Sequence, residues 1–315
     1  MTISPDLTNA SQSPPRRQRR PWHRAVPLPL LEAGLVLTWS SGFVGARFSL
    51  DYAPAFLAVF WRCVLVTLLL TPLAWAGLRR ASPKALLHNA GIGLLAMAGY
   101  LCGVVGGIAL GVPAGLAALV ADLLPVGVAL LSVVLLGQRL PGQAWAGLAI
   151  GSCGVLLVTH GALALGHAPL WAYGLPLLGM LSLAFATLWQ QRLGEGAALG
   201  PAVNLWLQCG VSALAFAVVQ SVQGGQGGLS PLPTAGFALS VLWTAALSTL
   251  GGYGLYWVCL ARAGHTRVAS VLFLSPGVTL LWGWCMFGEP LSWAMLAGTA
   301  VSAGGIWLVL RGQHG

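Results

Sequence analysis

Between Arg139 and Arg192 the chain carries no Asp, Glu, Lys or Arg, and between Glu195 and Arg262 it again carries none. Charge-free stretches of that length cannot be laid on a water-facing surface in any secondary structure. Over 315 residues only 7% are charged, against roughly 25% in a soluble globular protein. The hydrophobic fraction is 57% before the 43 glycines are added, and the mean hydropathy is +0.83. Lipid must therefore be the main solvent, and the chain reads as a polytopic membrane protein.

A helix needs about 20 apolar residues to cross the hydrocarbon core, and here the rare charges and turn residues mark where each crossing ends. Arg24 to Arg79 holds two spans, broken at Asp51-Tyr52-Ala53-Pro54. Lys84 to Arg139 holds two, broken at Gly111-Val112-Pro113. The first charge-free stretch breaks at His160–Pro169 and the second at Gln223–Pro233, each giving two. Arg267 to Glu289 and Glu289 to Arg311 hold one each, so the expected architecture is all-α with ten transmembrane helices.

Residues 1–26 differ in composition. They hold Pro, Ser, Asn and the cluster Arg16, Arg17, Arg19, Arg20 and Arg24, which reads as a disordered basic tail. The next apolar stretch is too long for a signal peptide and lacks a convincing cleavage site, so it is expected to be a retained first helix. With the N-terminus placed inside, the inner segments collect Arg79, Arg80, Lys84, Arg139, Arg192, Arg262, Arg267 and Arg311, and the outer loops hold no Lys or Arg. The formal charge of +9 is then a topological signal. It attracts anionic lipid as a side effect and needs no nucleic-acid partner.

The chain also repeats itself. Leu124-Pro125 through Gly137-Gln138-Arg139-Leu140 matches Ser275-Pro276 through Gly288-Glu289-Pro290-Leu291 at a gapless offset of 151 residues. Gly147 and Gly154 meet Gly298 and Gly305 at the same offset. Each unit holds five helices, an odd number, so the second copy must lie upside down. This gives a 5+5 inverted-topology repeat over 27–160 and 161–315, an arrangement typical of secondary transporters with a midplane site between the halves.

The first helix carries Trp39-Ser40-Ser41-Gly42-Phe43 and then Arg47, the second carries Phe60-Trp61-Arg62, and each half closes with the Pro and Gly-Gln or Gly-Glu landmarks above. With the ten-helix plan, these features resemble the EamA family of the drug/metabolite transporter superfamily over about residues 30–311. The resemblance implies a bacterial inner-membrane carrier that exports small metabolites, often amino acids or related compounds. Gly137-Gln138 stands where many members have Gly-Glu, so any role of that acid rests here on Glu289 alone.

Candidate transport residues follow from polarity inside spans. Asp122, in the middle third of the fourth helix, is the only charge between Lys84 and Arg139. An ionised group there costs several kcal/mol and faces a cavity or a partner. Two readings stand: Asp122 binds a proton or a substrate ammonium, or it pairs structurally with Arg62 at comparable depth. Arg62 holds a substrate carboxylate or neutralises Asp122. Arg47 lies near the outer end of its helix, within snorkelling reach of the headgroups. Glu32 and Glu289 read as helix-start acids. Trp39, Ser40, Tyr100, Ser182, Trp189, Tyr253, Tyr256, Ser275 and Trp282 are candidates for a cavity wall suited to amphipathic or aromatic substrates, set against the alternative of interface anchors and packing. Pro125 and Pro276 are hinge candidates.

Gly99, Gly103 and Gly107 form a close-packing stripe expected to face a neighbour in the same chain, and Gly147/Gly151 a second one. Oligomerisation is expected to be no more than monomer or weak homodimer. The six cysteines fall in separate spans with no Cys-x-x-Cys, and the histidines fall in loops or tails, so no disulfide, metal or cofactor is expected. No Walker-type phosphate loop appears. Proton coupling, exchange and facilitated passage all remain open. A multidrug or hydrophobic-cation exporter anchored on Asp122 is the alternative carrier. An integral membrane enzyme would need clustered His, Asp or Ser, which is missing, and a channel would be expected to show polar rings.

Overall fold

The computed structural model describes residues 26–165, 168–193, 199–222 and 228–312. The basic tail, apart from Val26, lies outside them, as do His167, Glu195 and positions 223–227 of the Gln223–Pro233 break. In hydrocarbon every backbone N–H and C=O must find a partner within its own segment, so each apolar run becomes a helix. Helices α1 (Leu28–Ser49) and α2 (Ala55–Arg80) meet at the Asp51–Pro54 turn. Helix α3 (Pro83–Ala109) contains a π-helical turn at Leu94–Gly99. Helices α4 (Ala114–Ala121) and α5 (Leu124–Leu136) are one apolar run bent by 41°. Helix α6 (Gly142–Leu165) leads through a 3-10 turn at Leu170–Tyr173 into α7 (Gly174–Leu193). Helix α8 (Pro201–Val222) precedes α9 (Ala235–Gly264), which holds a second π-helical stretch at Trp243–Gly251. Gly264, at φ 78°, separates α9 from the short helix α10 over 265–272. Helices α11 (Ser275–Phe287) and α12 (Trp293–Gly312) follow.

Among the described residues there is no strand. Eight helices are long and apolar enough to cross a membrane, nine if α4 and α5 count as one span. The ten expected from sequence differ from this by the broken α4–α5 run and by α12, whose apolar stretch Trp293–Leu308 is shorter than a full span. The protein is all-helical and polytopic.

Local chemistry sets the helix ends. Ser82 and Thr234 accept hydrogen bonds from the N–H groups of Ala85 and Phe237, each at 3.2 Å, and so cap α3 and α9. Gly137 and Gly288 end α5 and α11 in the left-handed region, at φ 63° and 64°. The following N–H groups of Gln138 and Glu289 reach back to Ser132 and Gly283. The hinge candidates Pro125 and Pro276 sit in the first turns of α5 and α11, just past the interruptions at Asp122-Leu123 and Phe273-Leu274. Each proline withholds the N–H that would have bridged its interruption.

All eight residues of α4 are buried, with α1, α3 and α11 among its neighbours. Helices α2 and α8 pack together, as do α3 and α7. The stripe on α3 faces α7: a methyl group on Gly103 would overlap the backbone of Leu175 and Gly179, and one on Gly107 would lie 2.9 Å from Pro176. The α6 stripe packs within the same chain, against α12. A methyl on Gly154 would meet the Ser302 nitrogen at 2.5 Å, and one on Gly305 would overlap the backbone of Gly151. Ser302 Oγ also donates to the Gly151 carbonyl at 3.3 Å.

Gly305→Val should lower stability by roughly 1–3 kcal/mol, the usual range for overpacking. A thermal melt in detergent should show a clear fall for this variant. Gly304→Ala, where the added methyl meets open space, should melt like the wild type.

Candidate functional site

A cavity of about 70 Å³ lies where α1, α2, α3 and α9 converge. Helix α1 contributes Trp39 and Phe43, α2 contributes Arg62, α3 contributes Tyr100, and α9 contributes Ser248 and Tyr253. The Trp39 ring packs on Tyr253 and Tyr256, with centroids 5.9 and 6.0 Å apart. Aromatic faces thus make much of the wall, and one guanidinium supplies its fixed charge.

Both π-helical stretches adjoin this cavity. A π turn carries an extra residue and re-aims the side chains beside it, which is why such turns gather at functional sites. Leu94–Gly99 ends just before Tyr100, and the Leu95 carbonyl accepts a 2.8 Å hydrogen bond from Ser182 on α7. Trp243–Gly251 holds Ser248 and Thr249. Thr249 Oγ1 donates to the Thr244 carbonyl, five residues back, at 2.8 Å, and accepts from Arg62 Nε at 2.8 Å.

Arg62 is only 8% exposed. Thr249 occupies its Nε, and among the described residues no carboxylate lies within ion-pair distance: the pairs found are Arg47–Asp51 and Arg267–Glu32. The Arg62–Asp122 pair considered from sequence is therefore not formed. Arg62 turns toward α9, whereas Asp122 occupies the interruption between α4 and α5. The Asp122 N–H still closes the end of α4 on the Ala118 carbonyl at 2.9 Å. Its Oδ2 is buried without a hydrogen-bond partner among the described residues. Tyr100 lies within electrostatic reach of both charged groups.

The other sequence candidates divide. Trp39, Tyr100 and Tyr253 line the cavity, and Tyr256 backs Trp39. Ser40 and Ser275 instead join α1 to α11, with Ser40 Oγ donating to the Ser275 carbonyl at 3.1 Å. Ser182 supports the α3 π turn. Trp282 packs on Trp243 at 5.8 Å. Trp189 belongs to a separate groove of about 450 Å³ with Leu135, Leu136, Phe185 and Arg192. Ser248 and Thr249 escaped sequence reasoning, although Ser248-Thr249-Leu250-Gly251-Gly252 is a polar, glycine-marked run inside a span.

Two acids act across the fold. Glu32 lies beyond the first turn of α1 and forms a two-pronged pair with Arg267, so it is not the helix-start acid expected. Glu289 serves a helix start, but a distant one. Its Oε2 accepts the Ala114 N–H at the head of α4 at 3.1 Å, across 175 residues. Arg47 pairs with Asp51 at 2.8 Å and lies 4.9 Å from the centre of the Phe287 ring, so it is engaged within the protein. Burial pushes the Glu289 carboxyl above its usual range, partly opposed by the Ala114 N–H and by Arg47.

A model of the EamA-like transporter family matches residues 29–160 and again 170–311. The chain belongs to the EamA-like transporter family. It is thus a transporter of the drug/metabolite type and not an enzyme. It is 26% identical over 282 residues to a "Probable amino-acid metabolite efflux pump" of Salmonella typhimurium (strain LT2), covering 88% of this chain and 93% of that protein. It is also 26% identical over 290 residues to the "Uncharacterized inner membrane transporter YedA" of Escherichia coli (strain K12), covering 91% and 92%. A solved crystal structure, 21% identical, superposes with a TM-score of 0.58 over 91% of this chain and 98% of that one, which shows a shared fold.

Removing the cap with Glu289→Ala should cost about 1 kcal/mol and lower the detergent melting temperature. Glu289→Gln keeps an accepting oxygen and should retain most of that stability. Because the folded value is raised, Glu289 contributes most below its ordinary range, and that contribution is lost as pH rises through the folded value. Melting profiles of wild type and Glu289→Gln against pH should therefore differ across that window, with the wild type losing ground as pH rises.

Proposed function

We propose that this EamA-like transporter is a secondary carrier that exports small metabolites, amino acids or related compounds, across the inner membrane by alternating access. The cavity with Arg62, 8% exposed and without an ion-pair partner among the described residues, is the observation that carries this reading. A fixed charge facing a cavity walled largely by aromatic side chains within the span region suits an anionic ligand group. The efflux-pump and inner-membrane descriptions of the relatives support the direction and the location.

Alternating access here rests on two inverted five-helix halves, 27–160 and 161–315, which make ten spans. Several features support that repeat. The left-handed glycines Gly137 and Gly288 and the interruptions at Asp122-Leu123 and Phe273-Leu274 share the 151-residue offset. The two π-helical stretches overlap at that offset. The family model also matches the chain twice, once in each half. In this reading α4 with α5, and α10 with α11, are interrupted spans, and the lysine and arginine bias puts both termini in the cytoplasm.

A hydrophobic-cation exporter of the same fold is the second reading, favoured by the unpartnered Oδ2 of Asp122. Counterflow in proteoliposomes separates the two. Vesicles loaded with unlabelled neutral amino acids should take up the labelled compound without any ion gradient. Asp122→Asn should keep that exchange and lose accumulation driven by a pH gradient. Uptake of labelled tetraphenylphosphonium with none of any amino acid would transfer the assignment to the cation reading.

A further inference from the structure

Arg62 sits in an unusual balance. Its Nε is held by Thr249, and Thr249 is itself anchored to the π-helical backbone through Thr244. The guanidinium plane is therefore fixed, while its two terminal nitrogens have no hydrogen-bond or ion-pair partner among the described residues. A guanidinium presents its donors as a rigid fork that matches a carboxylate in two parallel hydrogen bonds. Leaving such a group buried and uncompensated costs several kcal/mol, so the site should bind a complementary anion.

Resting on the carrier reading above, we infer that the transported substrate bears a single carboxylate and that Arg62 binds it through the free end of its fork. The rest of the wall restricts the ligand further. Among the described residues Arg62 is the only cationic side chain lining the cavity. A phosphate or phosphonate carrying close to two charges would remain under-neutralised there. The space is about 70 Å³, and Trp39 and Tyr253 offer apolar faces to what lies beyond the carboxylate. A small monocarboxylate with an apolar body meets all of these conditions. Asp122 is not spent in neutralising Arg62, so the positive charge remains available to the ligand.

The test compares ligands that differ only at the acid group. Full-length protein in proteoliposomes is assayed for counterflow of radiolabelled neutral amino acids. Unlabelled competitors are the same amino acids, their uncharged-acid amides, and the matching aminophosphonates. The carboxylates should compete, the amides should fall short by roughly 30-fold or more, the low end for removing one partner of a buried charged pair, and the doubly charged phosphonates should compete less well than the carboxylates. Arg62→Gln should narrow that preference for the carboxylate over its amide to within about threefold. Arg62→Lys, which keeps the charge and loses the fork, should fall between wild type and Arg62→Gln.

The wild-type competition series stands by itself if either variant fails to fold. Amides or phosphonates that compete as well as the carboxylates would overturn the inference, as would an Arg62→Gln protein with unchanged preference. Exchange of amides or tetraphenylphosphonium without any carboxylate would leave a carrier in place and remove the carboxylate. Absence of exchange with every probe would instead bring down the carrier reading on which the inference rests.

Discussion

Hydrocarbon offers the backbone no hydrogen bonds, and the rest of this structure answers to that constraint. Regular helix satisfies it segment by segment. Any departure from regular helix frees carbonyls or N–H groups and must be sheltered inside the protein. Here three of the departures lie close together. The π turn before Tyr100, the π stretch carrying Ser248 and Thr249, and the interruption at Asp122 surround or adjoin one small space. Both π turns come with an internal partner for a displaced carbonyl: Ser182 on that of Leu95, and Thr249 on that of Thr244. The polar groups that repair the backbone are thus also those that build and position the site.

The same economy explains the packing. Where lipid is as apolar as the side chains, helices gain little by hiding Leu from it, and close backbone approach has to do more. The faces of α6 against α12 and of α3 against α7 are therefore lined with glycine, while large apolar side chains such as Leu73, Leu156 and Leu214 point outward.

Much of the fold was legible because charge is so scarce. Arg79, Lys84, Arg139, Arg192 and Glu289 fall at or beyond helix ends, where water can reach them. Gly137 and Gly288 announce left-handed helix ends, and Pro125 and Pro276 mark interruptions, because only those residue types suit these backbone conformations. Trp39, Arg62, Tyr100 and Tyr253 were legible as polar or aromatic residues inside spans. The π turns were not, since no residue type demands one. Nor did linear order reveal that Arg62 would choose Thr249 over Asp122, or that Glu289 would cap a helix 175 residues earlier. Depth along a helix can be read from sequence, but rotation about its axis is decided by neighbours.

That rotation also decides which buried polar side chains reach the cavity. Arg62-Cys63 on α2 and Gln208-Cys209 on α8 lie on helices that pack together, and each pairs a long polar side chain with a cysteine. Both long side chains are 8% exposed, yet Gln208 is neutral and turns to Asn204 within its own helix. Asp122 likewise corresponds to Phe273 at the 151-residue offset. Among the described residues one guanidinium, oriented by Thr249, gives the cavity a single charged pole. The contrasts of Arg62 with Gln208 and of Asp122 with Phe273 thus concentrate buried charge beside one cavity.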